Sequence, residues 1–458
     1  MMERFDAIII GTGQAAPPLA ARLSAEGQRV AVIERKLVGG TCVNAGCTPT
    51  KALVASARVA EVARRAGAYG VRTAPPEIDM PAVTARLQAI AARSRTGVEA
   101  WLDGMAGVTL IRGHARLDGP RQVTVGARRL AAPRIFLNVG ARPVVPDLPG
   151  RDTVRVLTST DMLALDRVPG HLLIVGGSYI GLEFAQAFRR LGAEVTVIER
   201  GAELLGREDP EVSAAIREIL AAEGIAIRTG AECISLGPAP GGVRVRLDCP
   251  ADAAQEITGS DLLLAVGRVA NTDDLGLETV GLTPDARGII AVNERLETGV
   301  PGLWALGDCN GRGAFTHTSW NDHEILVANL LDGADRKVSD RIPGYGLFID
   351  PPLGRVGLTE AAARAAGHDI LTASRPMSRV GRAVEQGETM GLMKVVVEAG
   401  SGRILGAAIL GPGGDEAVHA LIAAMTGGLD ARSLQWAVPV HPTVAELIPT
   451  LMGSLAPV

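Results

Sequence analysis

One pattern occurs twice in this chain: strand, glycine turn, helix, second strand, acid. Its first copy opens with the apolar run 5–10, a short stretch suited to a buried parallel strand. Gly11-Thr-Gly13-Gln-Ala-Ala16 follows, then helical sequence to about residue 26, a strand over 29–33, and Glu34. The second copy runs from a strand over 172–175 through Gly176-Gly-Ser178-Tyr-Ile-Gly181 and a helix carrying Glu183 to a strand over 194–198 and Glu199. In both copies the acid stands 23 positions after the first glycine. This is the order that a dinucleotide site needs. Glycines let the backbone approach a pyrophosphate, the helix N-terminus offers it unpaired N–H groups, and the acid accepts bonds from a ribose. Ala16, in the third glycine's place, still permits close helix–strand packing. Ser178, in the middle glycine's place, leaves the backbone less free to approach a phosphate. A glycine turn without a ligand is the alternative for either copy alone. Two copies at one spacing predict two dinucleotide sites, in an α/β fold built from two Rossmann-like domains.

Between the copies lies Gly39-Gly-Thr-Cys-Val-Asn-Ala-Gly-Cys-Thr-Pro-Thr-Lys51, with Cys42 and Cys47 five residues apart. On an ideal helix such positions have Cα atoms about 8.6 Å apart. A disulfide tolerates no more than about 7 Å. If the two sulfurs pair, the backbone between them is irregular, which Asn44 and Gly46 permit. Pro49 suits a first helical turn, so a regular helix is predicted from about residue 49, after a distorted turn. A sulfur near a helix N-terminus is favoured as thiolate, and a dithiol there can accept or deliver two electrons. Two buried free cysteines, or half a metal site, are the alternatives. Zinc half-sites usually place two to four residues between their cysteines and need a second pair. Cys233, Cys249 and Cys309 are scattered and form no such pair.

The rest of the chain supplies landmarks. Amphipathic helical sequence continues from Lys51 to about residue 101. Gly113-His114-Ala115 sits between a strand and a hairpin, and a strand over 135–139 closes on Gly140-Ala-Arg-Pro143. Two further strands end in Gly267-Arg268 and Gly307-Asp308, and Thr316 starts a helix to about residue 331. From residue 343 the pattern turns to strand–helix–strand, a third unit. Near its end comes His441-Pro-Thr-Val-Ala-Glu446, where Pro442 suits the first position of a helix. A length of 458 residues predicts two to four domains. A net charge of −4 without long runs of either sign gives no nucleic-acid footprint. No apolar run reaches transmembrane length, and no signal peptide is read ahead of the first strand. Five cysteines, an odd number, do not make a secreted disulfide scaffold. A cytoplasmic location is therefore expected, where a cysteine pair is more often catalytic than structural.

Together these landmarks resemble the class I pyridine nucleotide–disulfide oxidoreductases, the family of dihydrolipoamide dehydrogenase, glutathione reductase and mercuric reductase. The likeness runs over almost the whole chain. It covers both fingerprints, the Cys-x4-Cys segment with Lys51, Gly140-Ala-Arg-Pro143, the strand ending at Asp308, and the terminal His-Pro-Thr…Glu. The Gly-Cys-Thr-Pro-Thr-Lys and Ala-Phe-Thr-His-Thr-Ser segments look closest to mercuric-reductase-like chains. The resemblance implies FAD on the first fingerprint, NADH or NADPH on the second, and a C-terminal α+β dimerisation domain. Its division would be 1–145 and 271–335 for FAD, 146–270 for NAD(P), and 336–458 for the interface of a homodimer.

The same resemblance implies roles. Cys42 looks like the interchange thiol that meets substrate, and Cys47 like the thiol stacked on the flavin. Lys51 and Glu183 match an ion pair near the flavin's reactive nitrogen, with a purely structural pair as the alternative. Asp308 matches the residue on the ribityl chain, or is a simple cap. Thr316 matches the helix start at the pyrimidine edge, and Ala115 a backbone contact to adenine. Thr41 and Gly267 join the fingerprint residues as cofactor contacts. His441 matches an acid/base that reaches into the partner's site, oriented by Glu446; a cap histidine and an ordinary helix acid are the alternatives. Glu199 favours NADH, whereas Arg200 beside it could hold the 2′-phosphate of NADPH.

Well-characterised mercuric reductases resemble one another in a C-terminal cysteine pair and a cysteine-bearing N-terminal metal domain. Neither is read here; the last cysteine is Cys309. The expected function is an FAD-dependent NAD(P)H:disulfide oxidoreductase, working through Cys42 and Cys47 on a small-molecule or protein-bound disulfide, with no resident metal. Reduction of a metal ion or quinone, and slow-turnover redox sensing, are the rivals.

Overall fold

A computed structural model describes residues 1–232, 234–247 and 255–457; Cys233 and Cys249 lie outside them. The described residues fall into two compact units. The first joins Met1–Ala52, Ala82–Val144 and Gly267–Arg341, and the second joins Leu53–Pro81, Val145–Val266 and Ile342–Val458.

The first unit is organised on a five-stranded, all-parallel sheet. Its order is Leu303–Ala305, Arg134–Leu137, Ala7–Ile10, Val30–Glu34, Val108–Arg112. A parallel sheet buries both faces, which is why these strands read as continuous apolar runs. Side chains alternate between the faces. Ala7, Ile9, Val30, Val32 and Phe136 share one core with Leu19 and Leu23 of the helix Ala16–Ala25 and with Ile325 and Leu326 of the helix Thr316–Leu330. Ile8, Ile10, Ala31, Ile33, Ile135 and Leu137 face the other way, onto Leu117, Val123 and Leu130. Those three belong to a four-stranded sheet that contains the hairpin expected after Gly113-His114-Ala115: Ala115–Leu117 pairs antiparallel with Gln122–Val125. Gly140-Ala-Arg-Pro143 lies where the chain returns, since Ala141–Pro143 pairs antiparallel with Arg268–Ala270.

The second unit repeats the plan. Ala226–Arg228, Glu194–Ile198, His171–Val175 and Asp261–Leu264 form a parallel sheet in that order. Leu173, Val175, Leu262 and Leu264 pack on Leu236, Val243, Val245 and Leu247 of an antiparallel three-stranded sheet. The strand–helix–strand pattern from residue 343 is a six-stranded antiparallel sheet, with Val418, Leu421 and Ala424 of the helix Gly414–Thr426 packed on Met393, Val395, Ala407 and Ile409. No helix among the described residues is long and apolar enough to cross a membrane.

Two expectations move. The helix predicted from residue 49 begins at Cys47 and runs to Arg65. Pro442 does not open a helix; the next helical turn is Ala445–Leu447. A local turn takes precedence, closed by Thr443 Oγ1 donating to Val440 O at 2.8 Å.

Buried charge also shapes the second unit. Arg190, in the helix Tyr179–Leu191, is only 5% exposed. It donates from Nε and Nη2 to Glu223 at 2.9 and 2.6 Å and from Nη1 to Asp350 at 2.6 Å. Removing one member of such a cluster leaves the others buried and unpaired. Arg190→Leu is expected to cost about 3–5 kcal/mol, read as a lower urea midpoint for the second unit.

Candidate active site

The sulfur segment is built by two short-range devices. Gly40–Ala45 is a six-residue helix that stops at Gly46, whose φ of −139° and ψ of −124° fit neither the helical nor the strand region. A Cβ there would lie 2.8 Å from Thr41 O and 3.2 Å from Cys42 Cα, so only glycine lets the chain fold back this tightly. Cys47 then opens the 19-residue helix Cys47–Arg65. Asn44 stitches the segment down: its Nδ2 donates to Val38 O at 2.8 Å and Gly40 O at 2.9 Å, and Arg95 Nη1 donates to its Oδ1 at 3.1 Å. The irregularity expected between the sulfurs is therefore real and falls at Gly46.

Cys47 is exposed and Cys42 half-buried. They are brought to one hydroxyl. Thr316 Oγ1 donates to Cys42 Sγ at 3.0 Å and lies 3.3 Å from Cys47 Sγ. Thr316 was expected as a helix start facing the cofactor; it is the first residue of the helix Thr316–Leu330, and its side chain serves the sulfurs. Cys42 holds its proton well above the usual thiol range: its hydrogen bond with the Cys47 sulfur is the largest cause, burial and then the repulsion of a second negative charge add to this, and the Thr316 hydroxyl acts the other way. Cys309 is a different kind of cysteine, fully buried, its thiol pushed up to about 12 by desolvation.

Both glycine turns are pinned by the acid at the end of the next strand. Glu34 Oε2 accepts from Thr12 N at 3.1 Å and Thr12 Oγ1 at 2.5 Å. Glu199 Oε2 accepts from Gly177 N at 2.6 Å, and its Oε1 from Gly201 N at 2.7 Å. A carboxylate has about four acceptor positions, so capacity for ribose hydroxyls remains. Gly11 has a φ of +96° and a Cβ there would lie 2.3 Å from Asn138 O; at Gly181 it would lie 2.0 Å from Gly176 O. Ser178 has an extended backbone, with φ −102° and ψ −179°, and is exposed. Gly176 is equally demanding, with a φ of +118° and Ala265 O only 2.4 Å from where a Cβ would lie, while at Gly177 a Cβ would meet Leu204 Cδ2 at 2.6 Å.

The residues present fit two dinucleotides. Neither helix start has a side-chain cap; at Tyr179–Leu191 this leaves first-turn N–H groups for an anion, whereas at Ala16–Ala25 Ala16 N donates to Gly13 O at 3.0 Å and Pro17 and Pro18 carry no N–H, so that helix's own first turn offers none. Asn138 is buried beneath the first turn. Its Nδ2 must face Leu306 O, which only accepts, at 3.1 Å, so Oδ1 turns to Gly13 and finds no partner. Sequence reasoning missed Thr12, Gly177 and Asn138. The signal for the first two was present, because each stands 22 positions before its acid.

Other residues are placed as follows. Thr41 is exposed, with Oγ1 3.5 Å from Ala141 O. Ala115 is buried in its strand. Gly267 has a φ of +127° and open space where a Cβ would go. Asp308 lies in the turn Gly307–Asn310; burial pushes its carboxyl up, opposed by Arg268, whose Nε is 3.5 Å away. Lys51 belongs to the first unit. Glu183 belongs to the second, buried, accepting from Phe348 N at 3.0 Å. In that unit His441 Nδ1 lies 2.8 Å from Glu446 Oε2, which fixes the ring and leaves Nε2 outward on a side chain 80% exposed. Trp436, Val438 and Val440 beside it are bare apolar surface. Among the described residues no group of three or more His, Cys, Asp or Glu is arranged to hold a metal ion.

The chain matches the pyridine nucleotide-disulphide oxidoreductase family over residues 5–322, and that family's dimerisation domain over residues 344–452. It is 35% identical to a mercuric reductase of Streptomyces lividans, across 97% of this chain and 94% of that one. It is 34% identical to a dihydrolipoyl dehydrogenase of Thermus scotoductus, across 97% and 96%. Among solved structures, the HOCl-induced flavoprotein disulfide reductase RclA of Escherichia coli superposes with a TM-score of 0.89 at 33% identity, covering 98% of this chain and 99% of that one. The Cu(II) complex of RclA matches with the same TM-score at 32% identity, covering 99% of each chain.

The sulfur geometry makes a pH-dependent prediction. Since the hydrogen bond with the neighbouring sulfur is the largest cause of Cys42's raised pKa, Cys47→Ser should lower the pH at which Cys42 ionises. Thiolate absorbance during an alkaline titration of the reduced protein reads this directly.

Proposed function

We propose, for a chain that belongs to the pyridine nucleotide-disulphide oxidoreductase family, that Cys42 and Cys47 are the pair through which electrons reach the substrate. The protein is an NAD(P)H-dependent flavoprotein disulfide oxidoreductase, and its dimerisation domain supports a homodimer. The observation that carries the proposal is the shared hydroxyl: Thr316 Oγ1 reaches both sulfurs across the break at Gly46.

Gly11, Gly13, Ala16, Glu34, Thr41, Ala115, Asp308 and Thr316 would hold FAD, which supplies a two-electron relay between a nicotinamide hydride and a sulfur pair. Gly176, Ser178, Gly181, Glu199 and Gly267 would hold the nicotinamide nucleotide. Lys51 would lie at the flavin's reactive nitrogen. The chain's own chemistry then runs on sulfur. Cys42, as thiolate, attacks one sulfur of R–S–S–R′; that bond breaks, a Cys42–S–S–R mixed disulfide forms, and R′–S⁻ leaves with a proton from Nε2 of the partner subunit's His441. Cys47, as thiolate, attacks the Cys42 sulfur. R–S⁻ leaves and is protonated, and a Cys42–Cys47 disulfide forms. The substrate gains the two electrons that the dithiol loses. An imidazole suits the proton transfers because it titrates near working pH, and Glu446 orients it. The raised pKa of Cys42 is the reason a base is needed beside it.

NADH is the nucleotide this site favours. The Glu199 carboxylate is held in place by two backbone amides, and a 2′-phosphate would bring negative charge against it. We expect kcat/KM for NADH to exceed that for NADPH, and Glu199→Gln to narrow the gap; the reverse order would reject this assignment.

A second reading is reduction of a thiophilic metal ion as substrate. Two adjacent thiols, one exposed, favour it, as do the relative named a mercuric reductase and the Cu(II) complex of RclA. A panel of lipoamide, glutathione disulfide, Hg(II) and Cu(II) separates the two. On the disulfide reading, His441→Ala lowers disulfide turnover by roughly 10²–10⁴-fold, because the leaving thiolate loses its acid. Turnover of metal ions alone, indifferent to His441, would favour the second reading.

A further inference from the structure

We propose that Asp322 is a positioning residue: its carboxylate fixes the Gly307–Asn310 turn and thereby sets where Asp308 presents its own carboxylate to the cofactor. The inference rests on the reading of Asp308 as a cofactor contact.

Asp322 lies in the helix Thr316–Leu330, with a side chain only 2% exposed. A charge at that depth persists only when paired and hydrogen-bonded. Three donors converge on it. Oδ2 accepts from Gly307 N at 2.7 Å and from Asn310 Nδ2 at 2.9 Å, and Oδ1 pairs with Arg341 Nη2. One carboxylate oxygen thus holds both ends of a four-residue turn, and Asp308 stands inside it. Asn310 extends the hold, because its Nδ2 also donates to Ala305 O at 3.0 Å and its Oδ1 accepts from Arg312 N at 2.8 Å.

The same turn is pressed against its surroundings. Gly307 has a φ of +69°, and a Cβ there would lie 2.7 Å from Ser319 Oγ and 3.1 Å from Asn138 Nδ2. Asp308's nearest cation, Arg268, approaches no closer than 3.5 Å, a loose pair. The direction of the Asp308 side chain is therefore set by the backbone that carries it. Arg341 completes the arrangement by neutralising Asp322, which keeps a second uncompensated charge away from Asp308. Its Nε also donates to Asn321 Oδ1 at 2.9 Å, which fixes the guanidinium.

The test is a thermodynamic cycle on FAD affinity, measured by fluorescence titration of the full chain. Asp322→Asn keeps the shape but leaves one acceptor oxygen for three donors. It should weaken FAD binding by about tenfold or more. Asp308→Ala should weaken it as well, and adding Asp322→Asn to Asp308→Ala should change the affinity by no more than about twofold. Fully additive losses would overturn the positioning role alone, as would an Asp322→Asn protein with lowered thermal stability and unchanged FAD affinity. An Asp308→Ala protein that binds FAD as tightly as the parent would overturn the reading of Asp308, and this inference with it. If Asp322→Asn does not fold, Asn310→Ala removes one bridge of the same turn and is judged by the same cycle.

Discussion

A carboxylate at the tip of one parallel strand grips the backbone amide at the tip of its neighbour, and this happens twice. Glu34 holds Thr12, and Glu199 holds Gly177. The bond follows from the sheet, since the two strand ends are adjacent and in register. It has two consequences. The glycine turn is shaped by protein contacts alone, so its glycines can lie against Asn138 and Gly40 with no room for a side chain. In the second copy the helix that follows keeps first-turn N–H groups for an anion, because no side chain caps it; in the first, Pro17 and Pro18 have none to offer. An anion-binding helix start is in this way a by-product of how the sheet ends.

The sulfur chemistry depends on the same sheet. Its two covering helices share one core, which places the first residue of the helix Thr316–Leu330 at the sulfur segment. Gly46 breaks the local helix, Asn44 stitches the bend, and the Thr316 hydroxyl answers from a residue 274 positions away from Cys42. None of these contacts stores much energy alone. Together they bring two thiols near enough that ionising one opposes ionising the other, which is a useful property for a pair that must act in turn.

Buried charge is used elsewhere for alignment. Lys394, almost wholly buried, pairs with Asp209 at 3.4 Å, Glu211 at 2.5 Å and Glu360 at 3.0 Å, while Arg355 donates to Asp209 at 3.0 Å. These bonds tie residues 209–211 to the six-stranded sheet, within the second unit. The opposite economy holds at the end of the chain. Trp436, Val438 and Val440 are 75%, 96% and 76% exposed, next to an equally bare His441.

What the sequence determined by itself was everything encoded at short or fixed range. The two fingerprints, their acids, the apolar runs of the parallel strands and the break between Cys42 and Cys47 all follow from local spacing, and the family from their joint order. What only the tertiary structure decided was set by contacts across long separations. In the second turn Gly176 is closed off by Ala265 O, 89 positions on, and Gly177 by the Leu204 and Glu199 side chains that fold back over it. Asn138, Thr316 and Asp322 gained their roles from atoms 168, 274 and 15 positions away. Even Pro442, whose place looked helical, was claimed by the bond from Thr443 to Val440. Periodicity reports which face of an element is buried; it cannot report which backbone amide a buried oxygen will meet, because that depends on how the elements are stacked.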